Sequence, residues 1–153
     1  MTGHGGDDFL KFQDSEEIGA QDIADAIAQM FEKQRYTLAL DSSRRYHELF
    51  FLIDTCQAST MFSKIASPNV LAAASSLKGE SSYSHHASYD LGVAVIDRFT
   101  YFNLEVLEHV DSGSQSTLQN LFDTYDPVQM HSTPGIRNDL FGRKTEEVRL
   151  LSD

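Results

Sequence analysis

The sequence predicts an α/β domain in which a mostly parallel sheet is covered by helices on both faces. Two short runs, Leu49–Ile53 and Val70–Ala74, are apolar on both faces, as strands buried inside a parallel sheet are. Segments with helical spacing of apolar residues lie before and after them, and this alternation is typical of α/β folds. The chain has 153 residues and shows no internal repeat, so we expect a single domain.

The elements of the first half follow from local patterns. Phe9–Phe12 is mostly apolar between glycines and an acidic stretch, which predicts a short strand or hairpin arm. Apolar residues recur at helical spacing over residues 21–34, with acidic residues early and basic residues late, and this predicts a helix. Residues 37–45 are irregular and polar, and we interpret them as a surface-loop insertion. Leu49–Ile53 follows as a buried strand.

The second half continues the alternation. A short helix is expected over residues 60–64, before the buried strand Val70–Ala74. A serine-rich loop is predicted for residues 78–90 and a long helix for residues 91–110. Leu118, Leu121 and Phe122 indicate another short helix, residues 132–135 carry a turn signal, and residues 148–151 are expected to form a last strand.

Composition excludes several classes of protein. Lys and Arg number 12 against 23 Asp and Glu, a formal net charge of −11, which argues against a nucleic-acid partner and against docking on anionic membranes by charge. A single cysteine excludes intrachain disulfides and zinc sites that need two or more thiolates. The cleanest apolar runs have about five residues, whereas a membrane-spanning helix needs about 20. We expect no metal and no other cofactor.

Two residues at predicted strand ends form the strongest candidate for chemistry. His4 lies in a glycine-rich turn after a strand remnant, and Cys56 follows Leu49–Ile53 almost at once. In an open α/β sheet, sites collect at the carboxyl ends of strands, so both side chains should rise from one edge. His4 lies 52 positions before Cys56, close to the roughly 50 that separate the two catalytic residues in caspases. A cysteine beside a histidine is the minimal nucleophile–base pair.

The backbone N–H groups of Gly5 and Cys56 would hold an oxyanion during acyl transfer. Alternatives remain open for both side chains. Free cysteine is among the most buried residue types, so Cys56 also fits a purely structural role. A loop histidine satisfied by backbone groups is the corresponding interpretation of His4.

Other clusters carry weaker signals. The pair His85 and His86 suggests a metal, but a solvated loop explains it better, because Asp90 is the one nearby residue at a plausible ligand spacing. The acidic residues near the start lack the twelve-residue calcium-loop pattern. Ser75 and Ser76 lack the Gly-x-Ser-x-Gly elbow, so a serine hydrolase is disfavoured.

Longer strings in the sequence go beyond spacing. They are MTGHGG (1–6), FLKFQDSEEI (9–18), IDTCQA (53–58), SPNVLAAASS (67–76), GESSYSHH (79–86), IDRFTY (96–101) and STPGIRNDLF (132–141). In this order they closely resemble the catalytic subunits of glycosylphosphatidylinositol (GPI) anchor transamidases, a branch of the legumain-like cysteine peptidases with a caspase-like α/β fold. The resemblance implies that residues 1–153 form one partial domain of the peptidase C13 type, without the family's N-terminal strands.

The resemblance also implies a reaction. Cys56 would match the family nucleophile and His4 the family histidine, and by analogy with legumain Asp54 and Ser82 would lie near the substrate side-chain pocket. The family cleaves a C-terminal signal from a proprotein through a thioester and transfers the new carboxyl end to the phosphoethanolamine amine of GPI. Expected partners are the other transamidase subunits, the proprotein signal and the GPI glycolipid, at the lumenal side of the endoplasmic reticulum membrane.

Two alternatives to this function are kept. The chain is either an inactive, truncated interaction module of the same complex, or a soluble legumain-like endopeptidase that hydrolyses its substrate. The first alternative rests on the abrupt start at Met1, before which the family has further strands.

Overall fold

The computed structural model describes residues 1–12, 15–32, 46–88, 90, 92–111 and 113–151. The described elements, in chain order, are β1 (Gly5–Gly6), β2 (Phe9–Phe12), β3 (Glu16–Gly19), α1 (Ala20–Glu32), β4 (Leu49–Ile53), a 3₁₀ helix (Ala58–Phe62), β5 (Val70–Ala74), β6 (Ser84–Ser88), β7 (Val93–Asp97), α2 (Arg98–Leu107), α3 (Leu118–Asp123), α4 (Pro127–Met130), β8 (Gly135–Arg137) and a second 3₁₀ helix (Thr145–Glu147).

The central sheet has the strand order β4-β5-β8 and carries the site. β4 and β5 are parallel and in register from Leu49 with Val70 to Ile53 with Ala74. β8 joins the other side of β5 in the antiparallel direction. Both apolar runs are therefore confirmed as parallel neighbours, and β5 is buried throughout, whereas in β4 only Ile53 is buried and residues 49–52 are partly exposed. The described part of this sheet thus combines one parallel and one antiparallel strand pair, where a mostly parallel sheet was expected.

The start of the chain extends this sheet beyond β4. Thr2 forms a parallel bridge with Asp54. The Met1 nitrogen donates to the Leu52 carbonyl at 2.8 Å, Asp54 N–H donates to the Met1 carbonyl at 2.9 Å, and Gly3 N–H donates to the Asp54 carbonyl at 3.2 Å. The segment before His4 therefore runs alongside the carboxyl end of β4.

Two smaller sheets flank the central one. β1, β2 and β3 form an antiparallel meander directly after His4, and β2 is the hairpin arm predicted for Phe9–Phe12. β6 and β7 form an antiparallel hairpin over a stretch predicted as loop and helix. That prediction was wrong for residues 84–88, which form a strand in place of a loop, and for residues 93–97, where Val93 and Ile96 pair with β6 before the helix begins at Arg98.

The side chains of β5 alternate between two apolar clusters. Val70, Ala72 and Ala74 pack in a cluster that includes α1, whereas Leu71 and Ala73 pack against α2 and α3. This is the period of two expected for a strand covered on both faces. The central sheet therefore has a core on each side, and α1 is confirmed as an amphipathic helix that begins one residue earlier than predicted.

Some predicted elements fall outside the described residues, and one is shorter than predicted. Residues 37–45 and the predicted end of the first helix at 33–34 lie outside the described residues. The strand predicted for residues 148–151 is absent from the described residues as a strand: this segment pairs at a single position, an isolated antiparallel bridge between Arg149 and Thr117. Among the helices of the described residues, none has the length and apolar character needed to cross a membrane.

Candidate active site

Cys56 lies in the turn that follows β4. Its side chain is half-buried, and the next residue, Gln57, adopts a left-handed backbone conformation with φ 55°. Left-handed backbone is uncommon for a residue with a Cβ and frequently marks a functional turn. Gln57 N–H donates to the Glu80 carbonyl at 2.9 Å, and the Gln57 side-chain oxygen accepts from Gly79 N–H at 3.0 Å. The turn is thus tied to the loop after β5.

His4 and Cys56 line the same cavity, which has a volume of about 270 Å³. The bridge between Thr2 and Asp54 explains why, because each of the two site residues lies two positions beyond a member of that bridge. Parallel neighbours end at the same edge of a sheet, so the imidazole and the thiol enter the cavity from adjacent segments. His4 is exposed and Cys56 is partly accessible, as a nucleophile and its base need to be.

Gly5 packs against the residue that precedes Cys56. A Cβ at position 5 would lie 2.5 Å from Thr55 Oγ1 and 2.6 Å from the Phe9 carbonyl oxygen. Only a glycine lets the backbone of β1 come this close to the Cys56 turn. In the described part of the chain, no acceptor engages the Cys56 backbone N–H. An N–H without an internal acceptor is what the predicted oxyanion role requires.

Asp54 and Ser82 are brought together, but in different positions relative to the cavity. Ser82 lines the cavity with His4 and Cys56, whereas Asp54 is 2 % exposed. Asp54 Oδ1 accepts from Ser82 Oγ at 2.6 Å, and Oδ2 accepts from the backbone N–H and the hydroxyl of Thr100 at 3.0 and 2.7 Å. Asp54 therefore orients Ser82 and fastens the first turn of α2 to the end of β4.

The hairpin β6–β7 contributes residues that the sequence did not single out. Ser84, Ala94 and Asp97 line the cavity opposite the Cys56 turn. Asp97 Oδ2 accepts from Thr2 Oγ1 at 2.8 Å, so this carboxylate also helps hold the segment that carries His4. A pattern of β-branched residues at 93–96 was the signal that could have placed a strand, and therefore a cavity wall, here.

Glu80 binds the Cys56 turn through its carbonyl and the segment before β8 through its carboxylate. Its carboxylate accepts from Thr133 N–H at 2.8 Å, from the Thr133 hydroxyl at 2.8 Å and from Leu77 N–H at 3.2 Å. These hydrogen bonds, those from Thr133 foremost, lower the pKa of Glu80 below its ordinary value. An ionised Glu80 thus joins the loop after β5 to the segment before β8.

His85 and His86 lie on β6, and their ring centroids are 4.2 Å apart. The His85 ring also lies against that of Tyr101, with centroids 4.1 Å apart. Burial, followed by the nearby His86 and Arg98, lowers the pKa of His85. Across the described ranges, no group of three or more His, Cys, Asp or Glu side chains is arranged to hold a metal ion. The ring of His85 packs between those of His86 and Tyr101 in the hairpin, whereas His86 is exposed.

A histidine and a thiol thus share a cavity at the carboxyl edge of an α/β sheet. Comparison with known proteins gives the class of protein. The Peptidase C13 family matches residues 1–146, so the chain belongs to this family and has its caspase- and legumain-like α/β fold.

Within that class the chain is similar to GPI-anchor transamidases. All of it aligns with the Saccharomyces cerevisiae protein of that name at 58 % identity over 153 residues, which is 34 % of the relative's length. The corresponding Schizosaccharomyces pombe protein is 51 % identical and is covered over 38 % of its length; the Homo sapiens protein is 46 % identical and is covered over 36 %. The chain spans about a third of the length of the relatives it matches.

Proposed function

We propose that this chain carries the cysteine-dependent catalytic centre of a GPI-anchor transamidase. The observation that carries the proposal is the shared cavity of His4 and Cys56, formed because the segments before them are parallel neighbours. The names and identities of the relatives support the reaction class.

In the first half-reaction, His4 accepts the thiol proton of Cys56, and the sulfur attacks the carbonyl carbon of a small residue in the proprotein. The N–H groups of Cys56 and Gly5 stabilise the oxyanion of the tetrahedral intermediate. The C–N bond then breaks, and His4 returns its proton to the leaving amine of the C-terminal signal. The proprotein remains joined to Cys56 as a thioester.

In the second half-reaction, the phosphoethanolamine amine of GPI attacks the thioester. His4 accepts a proton from the amine nitrogen, the C–S bond breaks, and the thiolate of Cys56 takes up that proton. An amide now links the protein to the glycolipid. The amine must be positioned better than water for transfer to exceed hydrolysis, and a cavity of modest volume between β1, the Cys56 turn and the β6–β7 hairpin favours such positioning.

Ser82 forms part of the wall that receives the substrate side chain, and Asp54 orients it. On this wall the pocket presents the Ser82 hydroxyl, while the Asp54 carboxylate behind it is buried. An uncharged wall of this kind suits the side chains of small residues.

The remaining expectations extend this proposal to the whole protein. Residues 1–153 belong to one domain, whose mostly parallel sheet is flanked by helices on both faces; the parallel pairs Thr2–Asp54 and β4–β5 support this. The protein works with other transamidase subunits at the lumenal side of the endoplasmic reticulum membrane. The substrates are a proprotein with a C-terminal signal and the GPI glycolipid.

The test replaces the two site residues in the intact protein. We expect Cys56→Ala and His4→Ala to lower attachment of GPI to a reporter proprotein on the order of 10³-fold or more, without loss of thermal stability. His109→Ala is the matched control, because His109 is an exposed histidine on the last turn after α2, in contact with a different cavity.

Product analysis separates the alternatives. A free carboxyl end in place of the amide, with or without added amine, would identify a hydrolysing endopeptidase. A complex that assembles but leaves the reporter uncut with wild-type Cys56 would identify an inactive interaction module. Normal attachment in Cys56→Ala would contradict the proposed function.

A further inference from the structure

β5 ends in two serines that are completely buried. Ser75 and Ser76 are each 0 % exposed, directly beyond the last residue that pairs with β4. Buried hydroxyls in proteins make hydrogen bonds, so their partners show what they stabilise. All hydrogen-bond partners of the two hydroxyls lie on the residues just before and after Cys56 and Gln57.

Ser75 engages both backbone groups of Thr55. Its hydroxyl oxygen accepts from Thr55 N–H at 3.1 Å, and the same hydroxyl donates to the Thr55 carbonyl at 3.1 Å. The Ser75 carbonyl in turn accepts from the hydroxyl of Ser132 at 2.6 Å. Thr55, which precedes Cys56, is therefore fixed by the Ser75 side chain just beyond the last residue pair of β4 and β5.

Ser76 engages the turn on both sides of Cys56. Its hydroxyl donates to the Thr55 carbonyl at 2.8 Å and accepts from Ala58 N–H at 3.1 Å. Its carbonyl accepts from Ser59 N–H at 3.0 Å. A carbonyl oxygen has two lone pairs, so Thr55 can accept from both serines at once.

These contacts leave Cys56 and Gln57 as the two residues between the fastened positions 55 and 58. Gln57 is the residue with φ 55°, a conformation that is unfavourable for a residue with a Cβ. Such backbone persists only where its surroundings over-determine it. The two serine hydroxyls, with the bond from Gln57 N–H to the Glu80 carbonyl, supply that constraint.

We infer that Ser75 and Ser76 are positioning residues for the thioester chemistry: they fix the direction of the Cys56 N–H and of its Cβ–Sγ bond relative to His4. This inference rests on the proposed function. Neither serine lines the cavity, so each acts through the turn and not on the substrate. Ser76 has the larger role, because its bonds span the nucleophile from residue 55 to residue 58.

The experiment uses Ser76→Ala and Ser75→Ala in the intact protein. A displacement of about 1 Å at a reacting atom can reduce the rate about 10²-fold, so we expect kcat for transfer to fall about ten- to hundred-fold, with KM within about twofold. Ser63→Ala is the control, since the Ser63 hydroxyl also donates to a backbone carbonyl, that of Thr60 at 2.7 Å, but forms no hydrogen bond with residues 55–58. A kcat within twofold of that control in folded Ser75→Ala and Ser76→Ala would overturn the inference.

A second pair of variants covers the case in which the alanine variants do not fold. Thr and Val have the same shape, so Ser76→Thr keeps the hydroxyl that Ser76→Val removes, at equal added volume. Transfer at least about tenfold faster in Ser76→Thr supports the inference, and equal rates overturn it.

A third measurement does not depend on transfer. The pH profile of Cys56 alkylation by iodoacetamide, followed by mass spectrometry of its peptide, should change in Ser76→Ala and stay unchanged in Ser63→Ala. If wild-type protein shows no transfer, the proposed function fails while this comparison still decides the positioning role. An unchanged alkylation profile in folded Ser76→Ala rejects that role.

Discussion

Gly5 is the residue where a single added carbon has the clearest consequence for the site. It follows His4, and its backbone lies against Thr55, the neighbour of Cys56. Distances of 2.5 and 2.6 Å from a Cβ to Thr55 Oγ1 and the Phe9 carbonyl are shorter than a van der Waals contact allows, so one of the two segments must move. Either movement separates His4 from Cys56.

We therefore expect Gly5→Ala to destabilise the protein by about 1–3 kcal/mol and to lower transfer about 10²-fold or more. Thermal unfolding and reporter attachment measure the two effects. Gly113→Ala is the matched control, because a Cβ at position 113 meets no atom within 4 Å. Full activity in Gly5→Ala would show that transfer does not need the close approach of β1 to the Cys56 turn.

Asp54 is the second residue whose environment makes a sharp prediction. Removing its carboxylate leaves three donors without their acceptor, the Ser82 hydroxyl and both donors of Thr100. A fully buried donor left unpaired costs about 1–3 kcal/mol, and these three donors are partly buried. We expect Asp54→Ala to lower the free energy of unfolding by at least about 2 kcal/mol and Asp54→Asn by less, since Asn keeps the volume and one acceptor oxygen.

Chemical denaturation of the two variants beside Asp111→Ala, an exposed aspartate, checks this ranking. Asp54→Ala as stable as Asp111→Ala would mean that the three donors find other acceptors.

At the scale of elements, the loop after β5 and the segment before β8 are joined by one ionised side chain. Hydrogen bonds from Thr133 and Leu77 lower the pKa of Glu80, so folding favours its charged form. A carboxyl group with a depressed pKa in the folded state contributes stability that is present above its unfolded pKa. That contribution is lost as the pH falls through the folded value.

We expect the melting temperature of wild-type protein to fall between about pH 5 and pH 3, and Glu80→Gln to show a shallower decline over this range. The control is Glu146→Gln, an exposed glutamate on the second 3₁₀ helix. Differential scanning calorimetry across the pH range provides the comparison. Identical slopes for Glu80→Gln and Glu146→Gln would argue against a stabilising role of the ionised Glu80.

At the scale of the whole molecule, the central sheet is stabilised from both faces. Met61 belongs to the cluster that includes α1, and Leu121 to the cluster around α2 and α3; both are 0 % exposed. Truncating such a side chain removes transfer free energy and leaves a cavity, at a cost of about 2–5 kcal/mol.

Met61→Ala and Leu121→Ala should each destabilise the protein by this amount, whereas Val128→Ala, at 80 % exposure, should change stability by about 0.5 kcal/mol or less. Urea unfolding measures all three. A small effect of Leu121→Ala alone would mean that the face covered by α2 and α3 contributes little to the core.

Predictions from the sequence succeeded where the pattern is local. Leu49–Ile53 and Val70–Ala74 were placed to the residue, because continuous apolar runs leave a buried strand as the simplest interpretation. The hairpin β6–β7 was missed because serine and histidine are weak strand formers, and its pairing comes from partners up to 13 residues apart. The positioning role of Ser75 and Ser76 has no local sequence signal, because the backbone groups that they bind lie some 20 residues away along the chain.

The sequence alone determined the class of fold, the two central strands and the two residues, His4 and Cys56, on which the proposed cysteine-based reaction depends. These follow from residue type and from position relative to a strand end, which are local properties. The tertiary structure decided what surrounds them: the parallel pairing of Thr2 with Asp54, the cavity wall from β6–β7, and the buried hydroxyls under the Cys56 turn. Hydrogen bonds and cavity walls join residues distant along the chain, and only the folded chain brings those groups within bonding distance.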